Sequence, residues 1–360
     1  MWIEMGLRSY IVKRIIYSFI LLLAVIAVNF ILFIAMPGDP GAFLMSAWSK
    51  ESPEKRKEHE QALNEMWGLT EPWYIRLMKY YRNLLTWNFG IEIAGRRPIS
   101  DVMAQKIPYT VLLLGLSTIV SLIVGVYVGI IVIKKRGSVF DSAAVTLSLI
   151  TGSLPTFWIG LVLLWFFSRG FLSLFPGSGA YPRDWPLTGW PQVFTVNPTY
   201  SPTSLNYNTA LSMKGSIDLF GGFLSHLFLP FATLTIFSVG GWVLLTRASM
   251  LETITEDYIV TAKAKGLSET AVLYKHALKN ASLPIITSAA LSFGFILTGA
   301  IITETVFSYP GVGGWIWDAI SIRDYSVLMA IFYLISICVI VANIVADLLY
   351  GVIDPRIKYG

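Results

Sequence analysis

Six long runs of apolar residues constrain this chain more than any other feature of its sequence. They cover residues 15–36, 109–133, 139–167, 227–245, 284–306 and 327–349. An α-helix needs about 20 such residues to cross the hydrocarbon core of a bilayer, and every run is of that order. Only 14% of the chain is charged, well below the share usual in soluble domains. The sequence therefore predicts an all-α membrane protein with six transmembrane helices.

The first run is too long for the core of a signal peptide and lacks a clear cleavage site, so we expect it to remain as an anchor. With six spans, both termini lie on one side of the membrane. Basic residues concentrate at that side of the spans, at Arg8, Lys13, Arg14, Lys134, Lys135, Arg136, Arg247, Lys263, Lys265, Lys275, Lys279, Arg356 and Lys358. The positive-inside rule thus predicts a multi-pass protein of the cell membrane with cytoplasmic termini. It also accounts for the net charge of +5 without a nucleic-acid partner.

The runs divide the chain into alternating membrane and water-exposed segments. These are a cytoplasmic segment with span one (1–36), an outer helical region (37–108), spans two and three (109–168), an outer loop (169–226), spans four to six (227–350) and a cytoplasmic tail (351–360). The two outer segments are extracellular insertions. In the first, a charged helical pattern over 52–63 and apolar residues at helical spacing over 73–85 predict two helices.

The second insertion is rich in Pro, Gly, Ser, Thr and Asn, a composition that favours turns and short strands over long helices. It includes the aromatic residues Tyr181, Trp185, Trp190, Tyr200 and Tyr207. These side chains either belong to a rigid surface loop or contact a docked binding protein or a sugar, and the sequence leaves both open.

A polar segment, 251–283, separates the fourth and fifth runs and lies on the cytoplasmic side. At its centre, residues 262–268 read Ala-Lys-Ala-Lys-Gly-Leu-Ser. Gly266 suits the left-handed position just past a helix end, Ser268 can cap the next helix, and Glu269 complements the positive end of that helix. The pattern predicts a short, rigid helix pair that a soluble partner can bind.

The segment resembles the cytoplasmic loop of ABC-importer permeases in the form found in their oligopeptide branch. The matching positions are Asp257, Tyr258, Thr261, Ala262, Ala264, Lys265, Gly266, Leu267, Ser268, His276, Ala277, Asn280, Ala281 and Pro284. Similar elements occur at 153–160, 304–313, 323–325 and 354–356, and the outer region resembles the first of the two permease types. The sequence departs from the Glu-Ala-Ala signature of other branches, since Val260, Thr261 and Ala262 occupy those positions.

The resemblance implies the fold of a type I ABC importer permease. It also implies four kinds of partner in the membrane complex: a second, homologous permease in a heterodimer, two ABC ATPase subunits, an extracellular solute-binding protein, and the lipid membrane. The residues expected to couple this chain to an ATPase are Ala262, Ala264, Gly266, Leu267, Ser268, Val272, Leu273 and His276. The resemblance implies peptides as the default solute, with oligosaccharides as the alternative.

We expect no catalytic site, metal site or cofactor in this chain. It lacks the G-x-x-x-x-G-K-[ST] phosphate loop, so ATP and Mg²⁺ are expected to bind to the partner ATPases. The histidines His59, His226 and His276 have no spacing typical of metal ligands. The competing hypotheses are a secondary transporter driven by an ion gradient, which would need buried acids along its route, and a membrane enzyme.

Candidates for the translocation path are Pro155, Trp158, Gly299, Glu304 and Asn343. Pro155 can kink span three, and Gly294 and Gly299 permit close helix approach in span five. Asn343 and Asp347 share one helix face and either line a polar path or bond across helices. Asp141, Glu304 and Asp347 lie near the ends of their spans, where a carboxylate can reach water or pair, so we expect structural roles for them.

Overall fold

The structure is a computed structural model that describes residues 7–35, 52–179 and 208–353. The regular elements of these residues are helical, apart from one isolated bridge between Ile91 and Pro98. The helices of the first half are α1 (Leu7–Ala35), α2 (Pro53–Trp67), α3 (Trp73–Leu85), α4 (Ile99–Lys134), α5 (Val139–Ser153) and α6 (Thr156–Leu164). Those of the second half are α7 (Asn208–Ile254), α8 (Asp257–Ala264), α9 (Glu269–Ala271), α10 (Leu278–Gly294), α11 (Ile301–Val306), α12 (Val312–Ile322) and α13 (Tyr325–Ile353).

Within the described ranges, four helices are long and apolar enough to cross a membrane. The qualifying stretches are Val12–Leu32, Ile99–Lys134, Gly221–Ile254 and Tyr325–Asp347. A fifth span results if α5 and the helix that follows it are counted together. The prediction of an all-α membrane protein is confirmed, whereas the count of six spans is not.

Span three is broken at Pro155, the position at which the sequence indicated a kink. The two helical parts meet at an angle of 96°, far more than a kink. Leu154 is extended, with φ −75° and ψ 137°, because the ring of a following proline disfavours helical geometry. Pro155 then precedes α6, which ends in a π-helical turn at Trp165–Arg169.

Span five, predicted over 284–306, is interrupted between α10 and α11. After α10 come a 3₁₀ turn at Ile296–Thr298 and Gly299, which has φ +70°. A Cβ atom on Gly299 would come within 2.7 Å of the Gly313 backbone, so both conformation and space require glycine there. The close helix approach predicted at Gly294 is confirmed, because a Cβ there would lie 2.3 Å from that of Ala342 in α13.

The second outer insertion ends in helix rather than in turns and strands, because α7 begins at Asn208. The prediction for 169–226 is therefore wrong over 208–226. The prolines of the insertion all precede Asn208, which leaves the later part free to continue into span four. The remaining aromatic positions, at 181–207, lie outside the described residues.

The first outer insertion packs on the outer half of α1. Helix α3 covers the residues that the sequence predicted, and α2 is followed by Gly68, whose φ is +65°. The Tyr81 hydroxyl donates a hydrogen bond to the Leu23 carbonyl oxygen (2.6 Å), and the rings of Phe30 and Tyr80 lie 5.5 Å apart. The insertion is thus joined to the first span by both polar and apolar contacts.

In the centre of the molecule, α4 and α7 run in close contact. Gly125 and Gly129 of α4 face Trp242 and Thr246 of α7, where a Cβ would come within 2.3 and 2.6 Å of side-chain atoms. Small residues at these positions let the two helix backbones approach. Helix α10 packs beside this pair, and α13 packs on α10, which completes the frame of the candidate site.

Candidate functional site

The loop between α7 and α10 has the helix–glycine–helix geometry that its sequence predicted. Helix α8 ends at Ala264, and Gly266 follows with φ +76°. The N–H of Gly266 donates to the carbonyl of Lys263 (2.9 Å) and that of Leu267 to the carbonyl of Ala262 (3.4 Å). These two bonds define a Schellman motif, which satisfies carbonyl groups left free at a helix end.

A new helix starts directly after this turn and leads into the membrane. The Ser268 hydroxyl accepts a hydrogen bond from the Ala271 N–H (3.3 Å), which confirms the predicted cap. The short helix α9 passes into a π-helical turn, Val272–Ala277, and then into α10. No irregular linker separates the loop from α10, so the two form one continuous rod.

The underside of the loop is an apolar cluster that we call the loop cluster. It consists of buried residues from α4, α7, α8, the π-helical turn and α10: Ile133, Met250, Ile259, Ala262, Val272, Leu273, Ala277 and Ala281. Its contacts attach the loop to the ends of three membrane helices. Such attachment lets a displacement of the loop reach those helices.

The loop cluster corrects part of the predicted ATPase-contacting set. Val272 and Leu273 are 1% and 5% exposed, and Ala262 is also buried, so they face the interior of this chain and not a partner. Their burial depends on Ile133 and Met250, which are distant in sequence. Ala264, Gly266, Leu267 and Ser268 are exposed and His276 is half-buried, as a contact role requires.

The solvent-exposed face of the loop, opposite the loop cluster, carries apolar side chains beside lysines. Leu267 is 41% and Tyr274 44% exposed, and Tyr258 and Val260 are exposed as well. Val260 and Tyr274 were not among the residues predicted to contact an ATPase, although both lie next to buried positions of the loop. The Tyr258 hydroxyl accepts a hydrogen bond from the Asn280 side-chain amide (2.7 Å), which joins α8 to the start of α10.

A partly buried ion pair holds the neighbouring turn, between α4 and α5, against α7. Arg247 Nε lies 2.9 Å from Asp141 Oδ1, and its terminal nitrogen lies 3.3 Å from Oδ2. Asp141 Oδ2 also accepts from the Gly137 N–H (3.0 Å). Asp347 forms an ion pair with Arg14 of α1. Both carboxylates near the ends of their spans thus form ion pairs, one of the two arrangements that the sequence left open.

Glu304 belongs to a buried polar cluster and does not face an open path. It is fully buried in α11, where its carboxylate accepts from the Thr110 hydroxyl (2.9 Å) and the Gly314 N–H (3.0 Å). Gly314 lies in the first turn of α12, and a helix N-terminus stabilises a nearby negative charge. A Cβ on Gly311 would lie 2.4 Å from the carboxylate, so the packing requires glycine there. Glu304 thus connects α4, α11 and α12.

The other four path candidates are spread over the molecule. Pro155 and Trp158 are exposed at the break of span three, and Gly299 is half-buried at the break of span five. Asn343 is exposed and its side-chain amide donates to the Val339 carbonyl of its own helix (2.9 Å). The structure brings none of the five candidates into the cavity described next.

A cavity of about 460 Å³ lies among α4, α7 and α10. Its lining residues are Leu114, Thr118, Ser121, Ser238, Trp242, Ser288, Leu291, Ser292, Phe295 and Ile296. Between this cavity and the loop cluster lies a second apolar cluster, which we call the floor cluster. It contains Trp242, Ile285 and Ala289, with Leu122, Val126 and Leu245 packed against them. Loop cluster, floor cluster and cavity therefore succeed one another along the same three helices.

No group of three or more His, Cys, Asp or Glu side chains within the described ranges could hold a metal ion. His226 is buried, and its ring Nδ1 lies 2.7 Å from the Gly222 carbonyl of the same helix. That contact explains its place in the packing without a ligand.

Comparison with known proteins gives a family match over most of the chain. Residues 103–359 match the family described as the binding-protein-dependent transport system inner membrane component. The oligopeptide transport system permease protein AppB of Bacillus subtilis (strain 168) is 31% identical over 98% of this chain and 100% of its own length.

Two further relatives have similar coverage. The dipeptide transport system permease protein DppB of Escherichia coli (strain K12) is 36% identical over 90% of this chain and 91% of its own length. The glutathione transport system permease protein GsiC of Escherichia coli O1:K1 / APEC is 31% identical over 98% of this chain and 99% of its own length.

Proposed function

Because the chain belongs to the family of binding-protein-dependent transport system inner membrane components, we propose that it carries peptides through the membrane as a permease subunit of an ATP-driven importer. The observation that carries the coupling role is the loop's two-sided construction. The solvent-exposed face of the loop carries Leu267 and Tyr274, whereas its opposite face, the loop cluster, is packed against three membrane helices. A partner that binds the exposed face and displaces the loop therefore also moves the ends of α4, α7 and α10.

The proposed partners follow from the chemistry that this chain lacks. The sequence has no phosphate loop, so two ABC ATPase subunits bind ATP and Mg²⁺, and one of them docks on the loop of this chain. The exposed apolar side chains suit a short helix laid into a hydrophobic groove. For ATPases to dock on it, the loop must face the cytoplasm. Both termini of the chain then lie in the cytoplasm as well, as the distribution of basic residues favours.

One loop serves one ATPase, and a clamp of two ATPases therefore needs a second permease. We propose a heterodimer, because the outer region resembles only one of the two permease types. An extracellular binding protein then delivers solute between the permeases. The purified complex should contain the two permeases in equal amounts, and a transport-competent homodimer of this chain would contradict the proposal.

Peptides are the proposed solute because the three relatives are named for oligopeptides, dipeptides and glutathione, all of which contain peptide bonds. An oligosaccharide is the competing solute, and the aromatic residues at 181–207 suggested it. None of the three relatives is named for a sugar.

Reconstituted uptake tests the proposal. The complex is placed in proteoliposomes with ATP and Mg²⁺ on the ATPase side, and ionophores collapse all ion gradients. We expect a labelled tripeptide to accumulate only when ATP and the binding protein are present, and excess unlabelled peptide to compete. Uptake that continues without ATP and stops with the ionophores would support a secondary transporter, and competition by oligosaccharides alone would reassign the solute.

A further inference from the structure

The wall of the cavity among α4, α7 and α10 carries several hydroxyl groups and no charged side chain. Thr118 and Ser121 come from α4, Ser238 from α7, and Ser288 and Ser292 from α10. No lining residue is Asp, Glu, Lys, Arg or His. The remaining wall is apolar, with Trp242 at the end nearest the floor cluster. A volume of about 460 Å³ lies within the range of about 300–1,000 Å³ typical of small-molecule pockets.

The hydroxyl groups retain hydrogen-bonding capacity toward the cavity. The Ser121 hydroxyl donates to the Thr118 carbonyl (3.1 Å), and that of Ser292 donates to the Ser288 carbonyl (2.8 Å), so both keep free lone pairs. Within the described part of the chain, the hydroxyls of Thr118, Ser238 and Ser288 have no hydrogen-bond partner. These three hydroxyls can therefore bond to a ligand both as donors and as acceptors.

This chemistry selects the kind of ligand. A lipid chain offers no hydrogen bonds, and a charged group would meet no opposite charge in the wall. A peptide backbone offers neutral N–H donors and C=O acceptors at short intervals, and hydroxyl groups can serve both. The apolar part of the wall suits side chains of varied shape.

We propose that this cavity binds the uncharged backbone of the transported peptide, with the hydroxyls of Thr118, Ser238 and Ser288 as its hydrogen-bonding groups. The inference rests on the proposed function and assigns the contact site within this subunit. The charged termini of the peptide lie outside the cavity. Because the floor cluster separates the cavity from the loop cluster, movement of the loop changes the cavity through α7 and α10.

The test uses the purified permease–ATPase complex without binding protein, so that only the membrane site is measured. Equilibrium binding of a tritiated tripeptide is compared between the wild type and a Ser238→Ala/Ser288→Ala variant. Removal of two hydroxyls should weaken binding about 5- to 150-fold, as expected for two lost neutral hydrogen bonds. Ser336→Ala is the matched control, because that half-buried hydroxyl lies on α13, outside the cavity wall, and donates to the Phe332 carbonyl of its own helix (2.7 Å). It should leave binding unchanged.

A second ligand identifies the part of the peptide that is bound. A tripeptide with N-methylated amides should bind less tightly to the wild type, and this loss should shrink in the double variant. For a tripeptide with blocked termini, the ratio of wild-type to double-variant affinity should equal the ratio found for the unblocked tripeptide. Ser288→Leu, which fills the cavity, should abolish binding while the complex still assembles.

The outcomes separate the two proposals. Equal affinity of the wild type and the double variant, or binding of an oligosaccharide in place of the tripeptide, would overturn the cavity assignment even where ATP-driven peptide uptake is intact. Failure of the wild-type complex to take up any peptide with ATP would overturn the proposed function, and the cavity assignment with it.

Discussion

The guanidinium group of Arg247 contacts both carboxylate oxygens of Asp141, although the two residues are 106 positions apart in the chain. Arg247 lies on α7 just before the loop cluster, and Asp141 lies in the first turn of α5. The contact therefore makes the turn between α4 and α5 part of the same rigid unit as the loop.

Loss of one member of this pair should weaken the unit. Arg247→Ala leaves the Asp141 carboxylate without its cation, so we expect a lower thermal midpoint of the purified complex and weaker coupling of ATP hydrolysis to uptake. The double exchange Asp141→Arg/Arg247→Asp should recover part of both. If Arg247→Ala matched the wild type in both measurements, the pair would have no mechanical role.

The glycine stop gives a sharper test of the loop. Gly266→Pro should abolish solute-stimulated ATP hydrolysis while the spans remain inserted, because proline cannot adopt φ +76° and lacks the N–H that bonds to Lys263. Gly266→Asn is the control, since asparagine tolerates the left-handed region and no atom lies within 4 Å of its Cβ position. It should keep most of the stimulation. Full coupling in the proline variant would contradict the role of the turn.

Substitutions at Leu267 and Leu273 distinguish binding of an ATPase from stability of the fold. Leu273→Ala should destabilise the protein by about 2–5 kcal/mol, because its side chain is buried in the loop cluster. Leu267→Ala removes an exposed side chain, so the thermal midpoint should change little while ATPase binding weakens. Thermal unfolding and pull-down of the ATPases measure the two effects. If Leu273→Ala weakened ATPase binding and Leu267→Ala lowered the thermal midpoint, the loop would bind the ATPase through the face that holds Leu273.

The carboxylate of Glu304 should prove structural. Glu304→Ala leaves the Thr110 hydroxyl and the Gly314 N–H without their acceptor, at a cost of about 1–3 kcal/mol for each unsatisfied group. Glu304→Gln keeps one acceptor oxygen and should lose less. A proton-coupled role predicts instead that the glutamine variant loses uptake without losing stability.

Orientation can be checked by labelling in a background in which Cys338 is replaced. A cysteine at Glu54, exposed on α2, should react with an impermeant thiol reagent added to intact cells, whereas one at Ser268 should react only after the cells are opened. The reverse pattern would place the loop outside and remove the basis for ATPase docking.

Local signals in the sequence predicted the local structures. Gly266 and Ser268 ended and started helices as expected, and α3 begins and ends where its apolar spacing indicated. Each of these structures is decided by residues within a few positions of one another.

Features that depend on distant residues could not be predicted in this way. The burial of Val272 and Leu273 requires Ile133 and Met250, and the cavity combines hydroxyls from three helices. The break at Gly299 lies inside an apolar run, and hydropathy does not distinguish one helix from two helices at an angle. At Pro155 the sequence indicated a kink, but not an angle of 96°. The turn of Gly299 is decided by its contact with Gly313, fourteen positions later.

The π-helical turn at Val272–Ala277 sets the rotational phase of α10. In an α-helix each residue adds about 100° of rotation and about 1.5 Å of length, whereas a π-helical turn takes up an extra residue without that advance. If the turn relaxed to α-helical geometry with the loop held still, α10 would rotate by about 100° for each residue released. Ser288 and Ser292 would then swing away from Ser238. The direction in which the serines of α10 point is therefore fixed at the membrane surface, in a segment that touches neither of them.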